Sequence, residues 1–524
     1  MAVRTPRITF ELQSQLFVSD AIPGTISFPF EIARTPESQK AFGYFDLISV
    51  SNSGTKRIDN CILYHRDTRL YNGTVYFLSS FDSYRISFNT GMSNLKTLSE
   101  QSLRSLTLGG VRTLPLLVGS QANFNLYAND VAAGTIEDFD YQFPTCRNPD
   151  IYQDVSFIQS GGSINHEYIN HYDGGTYSQV IQSTSGAAPE VYYANTFVPY
   201  PYLAYVLKEI FKSASVRAVG SWLEDPEIRT LLMYNTYCAD GPGVVSLPST
   251  LNKTNALTLN LQNHVPDIPI SQFLNSLRNQ FNLIYYWNTF SNEVSIDSFK
   301  DIHASTKYVD WTSKLIGRPG IEITERSGYT FSYEQDSNDA VQIADNLLRH
   351  VINGGENAYE TRSSLIELLS ETDYVAGGKD WLIHQANQPG NSANFPVPPS
   401  APNSAPFNLR LLFWRGMQPD SNSNDYPMGT PDLKRFNGTD IPGANYQLYW
   451  DGSKGLYNTW WKTYVDLFQK SKLVTVRVQL SLLEVLSIDI RQKVRLYDNL
   501  FYINKVKFDI GDVIKPVEVE LYRI

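Results

Sequence analysis

Few side chains in this 524-residue sequence are spaced for chemistry. The seven histidines are His65, His166, His171, His264, His303, His350 and His384, and the close pair among them is His166-Glu167-Tyr168-Ile169-Asn170-His171. It approaches a metalloprotease helix motif, but a separation of five turns the second imidazole roughly 140° from the first on a helix, so polar loop histidines are the better reading. Gly377-Gly378-Lys379 lacks the rest of a phosphate-binding loop, and no G-x-S-x-G elbow occurs. Asp420, Asn422 and Asn424 place oxygens at positions 1, 3 and 5 of a calcium loop. The sixth position is Asp425 where glycine belongs and the twelfth is Pro431 where a bidentate glutamate belongs, which makes this a solvated loop. Glu367 with Glu371, or Asp489 with Asp498, would suit glycoside hydrolysis only if folding set the carboxyls roughly 5–10 Å apart; surface charge is the simpler reading. Trp460-Trp461 could stack on sugar, yet Leu456, Tyr464 and Leu467 share its helical spacing, which favours a core role. Cys61, Cys146 and Cys238 are odd in number and widely spaced, so neither a disulfide framework nor a zinc knuckle is indicated. We therefore assign no catalytic residue, no metal ligand and no cofactor.

The elements around these residues are more sharply marked. Leu203, Val206, Leu207, Ile210 and Phe211 form one helical stripe opened by Pro199 and Pro201. Asp225-Pro226-Glu227 caps a predicted second helix through Leu231, Leu232 and Tyr234. Leu257, Leu259 and Leu261 alternate as a strand. Ser271 starts a helix burying Phe273, Leu274, Leu277 and Phe281, which feeds the hairpin Leu283–Trp287 and Glu293–Asp297.

The first hundred residues read as β. Ile8–Leu12 and Thr25–Ile32 alternate, with Pro29 favouring an edge or bulge. Cys61–Tyr64 and Arg69–Tyr71 lead to a hairpin predicted at Asn72-Gly73 with Thr74–Leu78 as the return strand, followed by Tyr84–Phe88. Ser93–Leu106 predicts a short helix. From Thr113 to Asn195 the glycine pairs Gly161-Gly162 and Gly174-Gly175, and Ser183–Ala188, mark loops between weak strands such as Ser178–Ile181. Short strands return at Gly320–Thr324 and Tyr329–Glu334, with a helix near Ile343–Ile352. Six prolines between Gln388 and Pro406 make an extended loop, and order restarts at Leu409–Trp414. A Trp-rich helix (Leu456–Phe468) precedes strands at Val474–Leu480, Lys493–Tyr497, Leu500–Phe508 and Val517–Tyr522.

A prior of about 150 residues per domain gives three or four units. Charged residues make up 18% of the chain and aromatics 13%, with 33 tyrosines, a composition suited to a β-rich protein that hides surface against partners. The net charge of −10 argues against gripping nucleic acid. No stretch approaches about 18 consecutive apolar residues, so no membrane-spanning helix is expected, and Met1–Arg7 lacks the apolar core of a secretory signal. The expected fold is α+β and mostly β.

Several stretches, in order, resemble a family of tail proteins of Bacteroidetes phages and prophages. They are Pro23–Phe30 with Pro36-Glu37, Val198–Phe211, Trp222–Ile228, Leu259–Ile268, Phe273–Leu283, Tyr449–Tyr457 with Trp460-Trp461, and Ile514–Arg523. Such proteins are similar to the trimeric hub proteins of contractile and long-tailed phages. The resemblance implies two tail-tube-like β-barrel domains with mixed α/β insertions: a barrel over 1–110, an α/β insertion region over 111–305 with helices near 200–237 and 271–281, and a C-terminal barrel over 306–524 carrying the 388–406 loop. It implies a homotrimeric tail or baseplate hub that joins the tail tube to the central spike or tip and lines the DNA-ejection channel. Partners would be the tube protein, the spike or tip protein, other baseplate proteins and a tape-measure protein, with no specific nucleic-acid binding and no membrane insertion. The protein would be made in the host cytoplasm and reside in the virion tail. The net charge suggests an acidic lumen. Two rival readings are a tail-associated cell-wall or polysaccharide hydrolase, and a receptor- or glycan-binding tail-tip protein.

Overall fold

The computed structural model describes the chain apart from residues 1–6, 18–21, 23–24, 45–56, 66–67, 81, 93–95, 114–120, 136–137, 149–167, 174, 178–180, 184–190, 195–196, 238–243, 248–257, 289–290, 323–327, 338, 340, 342, 356, 374–377, 387–406 and 512–514. It is mostly β, with helices concentrated in the middle of the chain. The first strands are β1 (Ile8–Gln13), β2 (Thr25–Ser27), β3 (Phe30–Ala33), β4 (Arg57–His65), β5 (Thr68–Ser80) and β6 (Ser83–Thr90). The middle supplies α1 (Gln121–Ala133), α2 (Leu203–Ser213), β7 (Arg217–Val219), α3 (Ile270–Phe281), β8 (Leu283–Asn288) and β9 (Glu293–Ser298). Then come β10 (Tyr308–Asp310), β11 (Leu315–Glu322), β12 (Tyr329–Ser332), β13 (Glu367–Asp373), β14 (Lys379–Gln385), β15 (Leu411–Pro419) and β16 (Asp425–Thr430). The chain finishes with α4 (Lys462–Phe468), β17 (Leu473–Val478), β18 (Lys493–Leu496), β19 (Asn499–Ile510) and β20 (Val517–Arg523).

Strands from the two ends of the chain share one sheet of twelve strands, whose main path runs β11-β17-β20-β19-β1-β2-β6-β5-β4. The join is antiparallel, from Ile8 opposite Ile510 to Gln13 opposite Lys505. β17 shows the alternation that makes one face apolar: Val474, Val476 and Val478 are buried while Thr475 and Arg477 are exposed. Phe10, Phe88, Val506, Phe508 and Val519 lie in the same core, so both ends bury their apolar faces together. Phe10 stacks on Phe508 at 5.6 Å and meets Tyr71 at 5.4 Å. The path is open among the described residues; this sheet is not a closed barrel. Pro29 breaks the Thr25–Ile32 run into β2 and β3, as a residue without an amide proton should.

The predicted hairpin at Asn72-Gly73 is not there: β5 runs unbroken through both residues, and its pairing with β4 ends at His65 opposite Thr68. Gly73 serves close approach instead. A Cβ on it would lie 2.1 Å from the Asn89 carbonyl oxygen and 2.7 Å from the Phe88 ring.

A second core fills the middle. Along α2, Leu203, Val206, Leu207, Ile210 and Phe211 are buried, as their spacing predicts. In α3 even Arg278, Asn279 and Gln280 are buried, and each donates a hydrogen bond: to the Gln15 carbonyl at 2.7 Å, the Glu360 carbonyl at 2.8 Å and the Tyr333 hydroxyl at 2.9 Å. Gln15 in turn pairs with both the amide and the carbonyl of Tyr285, so the segment after β1 is locked to β8. The expected β8–β9 hairpin forms, with Leu283 opposite Ser298, and β7 adds parallel to β9.

Four other expectations change. Asp225 accepts from the Glu227 and Ile228 amides, yet the chain beyond it makes one 3-10 turn and then a strand at Leu231–Met233 that pairs with β15. Among the described residues of Ser93–Leu106 there is a turn of helix at Lys96–Ser99 and a 3-10 turn at Leu103–Ser105. The helix near Ile343–Ile352 is a four-residue turn, Asp345–Leu348, that leads into a strand at Arg349–Ile352. Within the loosely patterned 113–195 region, where loops and weak strands are expected, stands α1. Leu257, Gly161-Gly162 and the 388–406 loop lie outside the described residues.

Candidate assembly interface

The residues singled out for chemistry are dispersed and occupied. His171 is buried, stacked on Tyr168 at 5.1 Å and edge-on to Trp381; His166 lies outside the described residues. The Lys379 amine is buried, donating to the Tyr172 carbonyl at 2.7 Å and sitting 4.2 Å above the Trp381 ring, so it anchors β14 and faces no phosphate site. Asp420 closes the β15–β16 hairpin by accepting from the Asn422 and Asn424 amides at 2.8 and 2.9 Å; its carboxylate is a turn acceptor. Glu367 and Glu371 both belong to β13, and burial, aided by Asp339, raises the Glu367 carboxyl above its ordinary value. Asp489 and Asp498 do not form a pair: Asp489 grips the Arg491 guanidinium at 2.7 Å, while Asp498 is fully exposed. Burial pulls the Arg491 guanidinium down, but Asp489 and Asp297 outweigh it and raise it above its usual value. Trp460 and Trp461 are buried, Trp461 donating to the Asn279 carbonyl at 3.1 Å and packing on Phe331 and Tyr359. Cys61 and Cys146 are free thiols, and burial pushes Cys146 up to about 12; Cys238 lies outside the described residues.

The deepest charge cluster is also structural. Arg410 is 1% exposed and donates to Asp336 at 2.7 Å and Asp339 at 2.6 Å, with its guanidinium over the Tyr234 ring. Beside it, His384 bridges the Gly429 carbonyl and the Tyr200 hydroxyl, and burial lowers its imidazole to about 3, so it stays neutral.

The great sheet, by contrast, stands open. Among the described residues β4 and β11 each pair on one side only. Their outer amides and carbonyls are therefore free to meet another chain. Exposed apolar side chains gather at these ends: Ile62 and Tyr64 on β4, Leu78 on β5, and Ile316 and Ile321 on β11; Tyr308 and Val309 are exposed on β10, off this path beside β18. Ile321 is 65% exposed and Tyr64 is 56% exposed, far beyond what a strand buried on one face needs. Both edges are irregular. The β4–β5 register slips between Ile58 and Cys61 and again between Leu63 and Tyr64; β11 bulges between Ile316 and Gly320 around Pro319. Bulges and proline keep an edge from indiscriminate pairing, so these edges are selective. Neither edge could be recognised in the sequence, because a strand becomes an edge only through topology.

No family model and no curated protein matches the sequence. In structure the chain is similar to the 43 kDa tail protein of prophage MuSo2 from Shewanella oneidensis, at 8% identity over 99% of this chain and 93% of that chain, with a TM-score of 0.31.

Proposed function

We propose that this chain is a structural, non-enzymatic subunit of a phage tail: a homotrimeric hub that joins tail tube to spike or tip. The observation that carries the reading is the open twelve-stranded sheet with two unlike apolar edges. An edge that cannot match itself but can match the opposite edge of a second copy makes a head-to-tail contact, and head-to-tail contacts close into a ring where the rotation from copy to copy completes a circle. Each subunit presents its β4 end to the β11 end of the next, and three copies complete the ring. The N-terminal and C-terminal strand sets are the two tube-like modules, fused through β1 and β19, with the helical middle as the insertion. The tail resemblance of the sequence supports the same assignment.

The polar face of the sheet supports a channel role of a particular kind. Glu11, Glu518 and Glu520 are interleaved with Lys505, Lys507 and Arg477, as in the Glu11–Lys505 pair and the Glu518–Lys507 register. A lumen lined by this face carries little net charge, refining the acidic lumen suggested by composition, and it neither grips nor strongly repels passing DNA. Light scattering and negative-stain imaging test the proposal. Three subunit masses and a threefold ring are expected, with Ile321→Asp and Tyr64→Asp each giving a folded monomer. A native protein that stays monomeric at tens of micromolar, roughly the range in which weak specific contacts form, overturns it.

A further inference from the structure

Seven of the eight tryptophans are buried; Trp287, near the end of β8, is the exception. It forms one wall of a cleft of about 450 Å³ between the outer side of β4–β5 and the C-terminal end of α2. Its neighbour Tyr286 is covered by the Arg491 guanidinium at 4.4 Å; Trp287 is half-buried against the central core, and no described ring or cation stacks on it. The opposite wall is polar and set in place. The β4 bulge between Ile58 and Cys61 turns out both Asp59 and Asn60, the latter at φ +57, a conformation asparagine tolerates. Asp59 is oriented by two donors, Arg57 at 2.9 Å and Thr74 at 3.0 Å, and Gln101 adds an exposed amide.

This combination selects a class of ligand. Arg57 and Asp59 neutralise one another, so the cleft has no unbalanced cation for a phosphate or carboxylate. The same pairing already occupies the carboxylate that a metal ion would need. Leu98, Leu106 and Ala214 share the lining with the polar groups, and a wholly apolar lipid chain would leave Asp59, Asn60 and Gln101 facing hydrocarbon. There remains a neutral molecule rich in hydroxyls with one apolar face. Planar donor and acceptor groups on Asp59, Arg57, Asn60 and Gln101 suit vicinal hydroxyls, and an indole face suits the C–H face of a pyranose ring. The volume lies within the range of small-molecule sites. We infer that this cleft is a binding site for a short neutral oligosaccharide. The inference does not need the ring: Trp287 and Gln101 belong to neither open sheet edge, while Arg57, Asp59 and Asn60 lie on β4, the strand that the ring proposal puts at a subunit contact.

The test is a screen of the full-length protein on an array of neutral bacterial and plant oligosaccharides, followed by calorimetric titration of the best binder, with maltotriose, cellotriose and tri-N-acetylchitotriose as soluble probes. Saturable binding is expected, weakened about tenfold or more by Trp287→Ala, as for an aromatic anchor, and also by Gln101→Ala, an exposed change that leaves folding intact. Trp287→Phe should retain most of the affinity at an unchanged melting temperature. Mass by light scattering, read on the same samples, separates loss of the ring from loss of this site. No binder on the array, binding confined to anionic glycans, or affinity indifferent to both Trp287→Ala and Gln101→Ala overturns the inference.

Discussion

Phe10→Ala should loosen both ends of the chain at once. The ring is fully buried and touches Phe508, Tyr71 and Phe88, so its removal opens a cavity in the core that β1 shares with β19, β5 and β6. Truncating a buried phenylalanine costs about 3–5 kcal/mol. At about 1.4 kcal/mol per tenfold, a loss near 4 kcal/mol raises the population of the opened sheet roughly a thousandfold. Hydrogen exchange followed by mass spectrometry reads this locally, which matters in a chain with two cores. Amides of 505–510 should exchange faster together with those of 8–13, although nearly the whole sequence separates them, while α3 in the other core keeps its protection. Phe508→Ala should do the same, and the double variant should cost less than the two singles combined by about 0.5–1.5 kcal/mol, the worth of a stacked ring pair. Protection at 505–510 that ignores Phe10→Ala, or costs that simply add, would refute a shared terminal core.

Two other perturbations probe the central core. Arg410→Met strands Asp336 and Asp339 in the interior and should destabilise the protein by about 3–5 kcal/mol in chemical denaturation, with much of the loss recovered when both aspartates become asparagine; an unchanged midpoint would show the cluster to be idle. Burial keeps His384 neutral down to about 3 against its ordinary 6.5, so the unfolded chain takes up a proton through a window where the folded chain does not. The stability contributed by this group is complete above about pH 6.5 and declines as pH falls toward 3, with a slope of up to about 1.4 kcal/mol per pH unit. His384→Gln should make urea midpoints fall less steeply between these limits, and equal slopes in both proteins would contradict the assignment.

Local periodicity made α2, α3, the β8–β9 hairpin and β17 legible, because each declares its buried face within a dozen residues. Trp460 and Trp461 were readable as core for the same reason. Asn72-Gly73 misled, since glycine there answers the approach of Phe88 and Asn89 from a neighbouring strand and makes no turn. Asp225 capped as foreseen, but Leu231–Met233 found a partner in β15, and pairing overrode helix propensity. The meeting of β1 with β19 has no local signature, and so neither had the position of the open edges. Trp287 looked like any hairpin aromatic until the cleft beside it came into view.

The pairing of β1 with β19 also dictates a schedule. Phe10 meets a partner that leaves the ribosome almost five hundred residues later. At about 5–20 residues per second, that is a wait on the order of half a minute to more than a minute, during which the edge of β1 that will meet β19 has no partner. Such a nascent segment is a natural client for chaperones, and because long-range closure is slow, the rate at which folded chains accumulate would be set by the last strands to be translated.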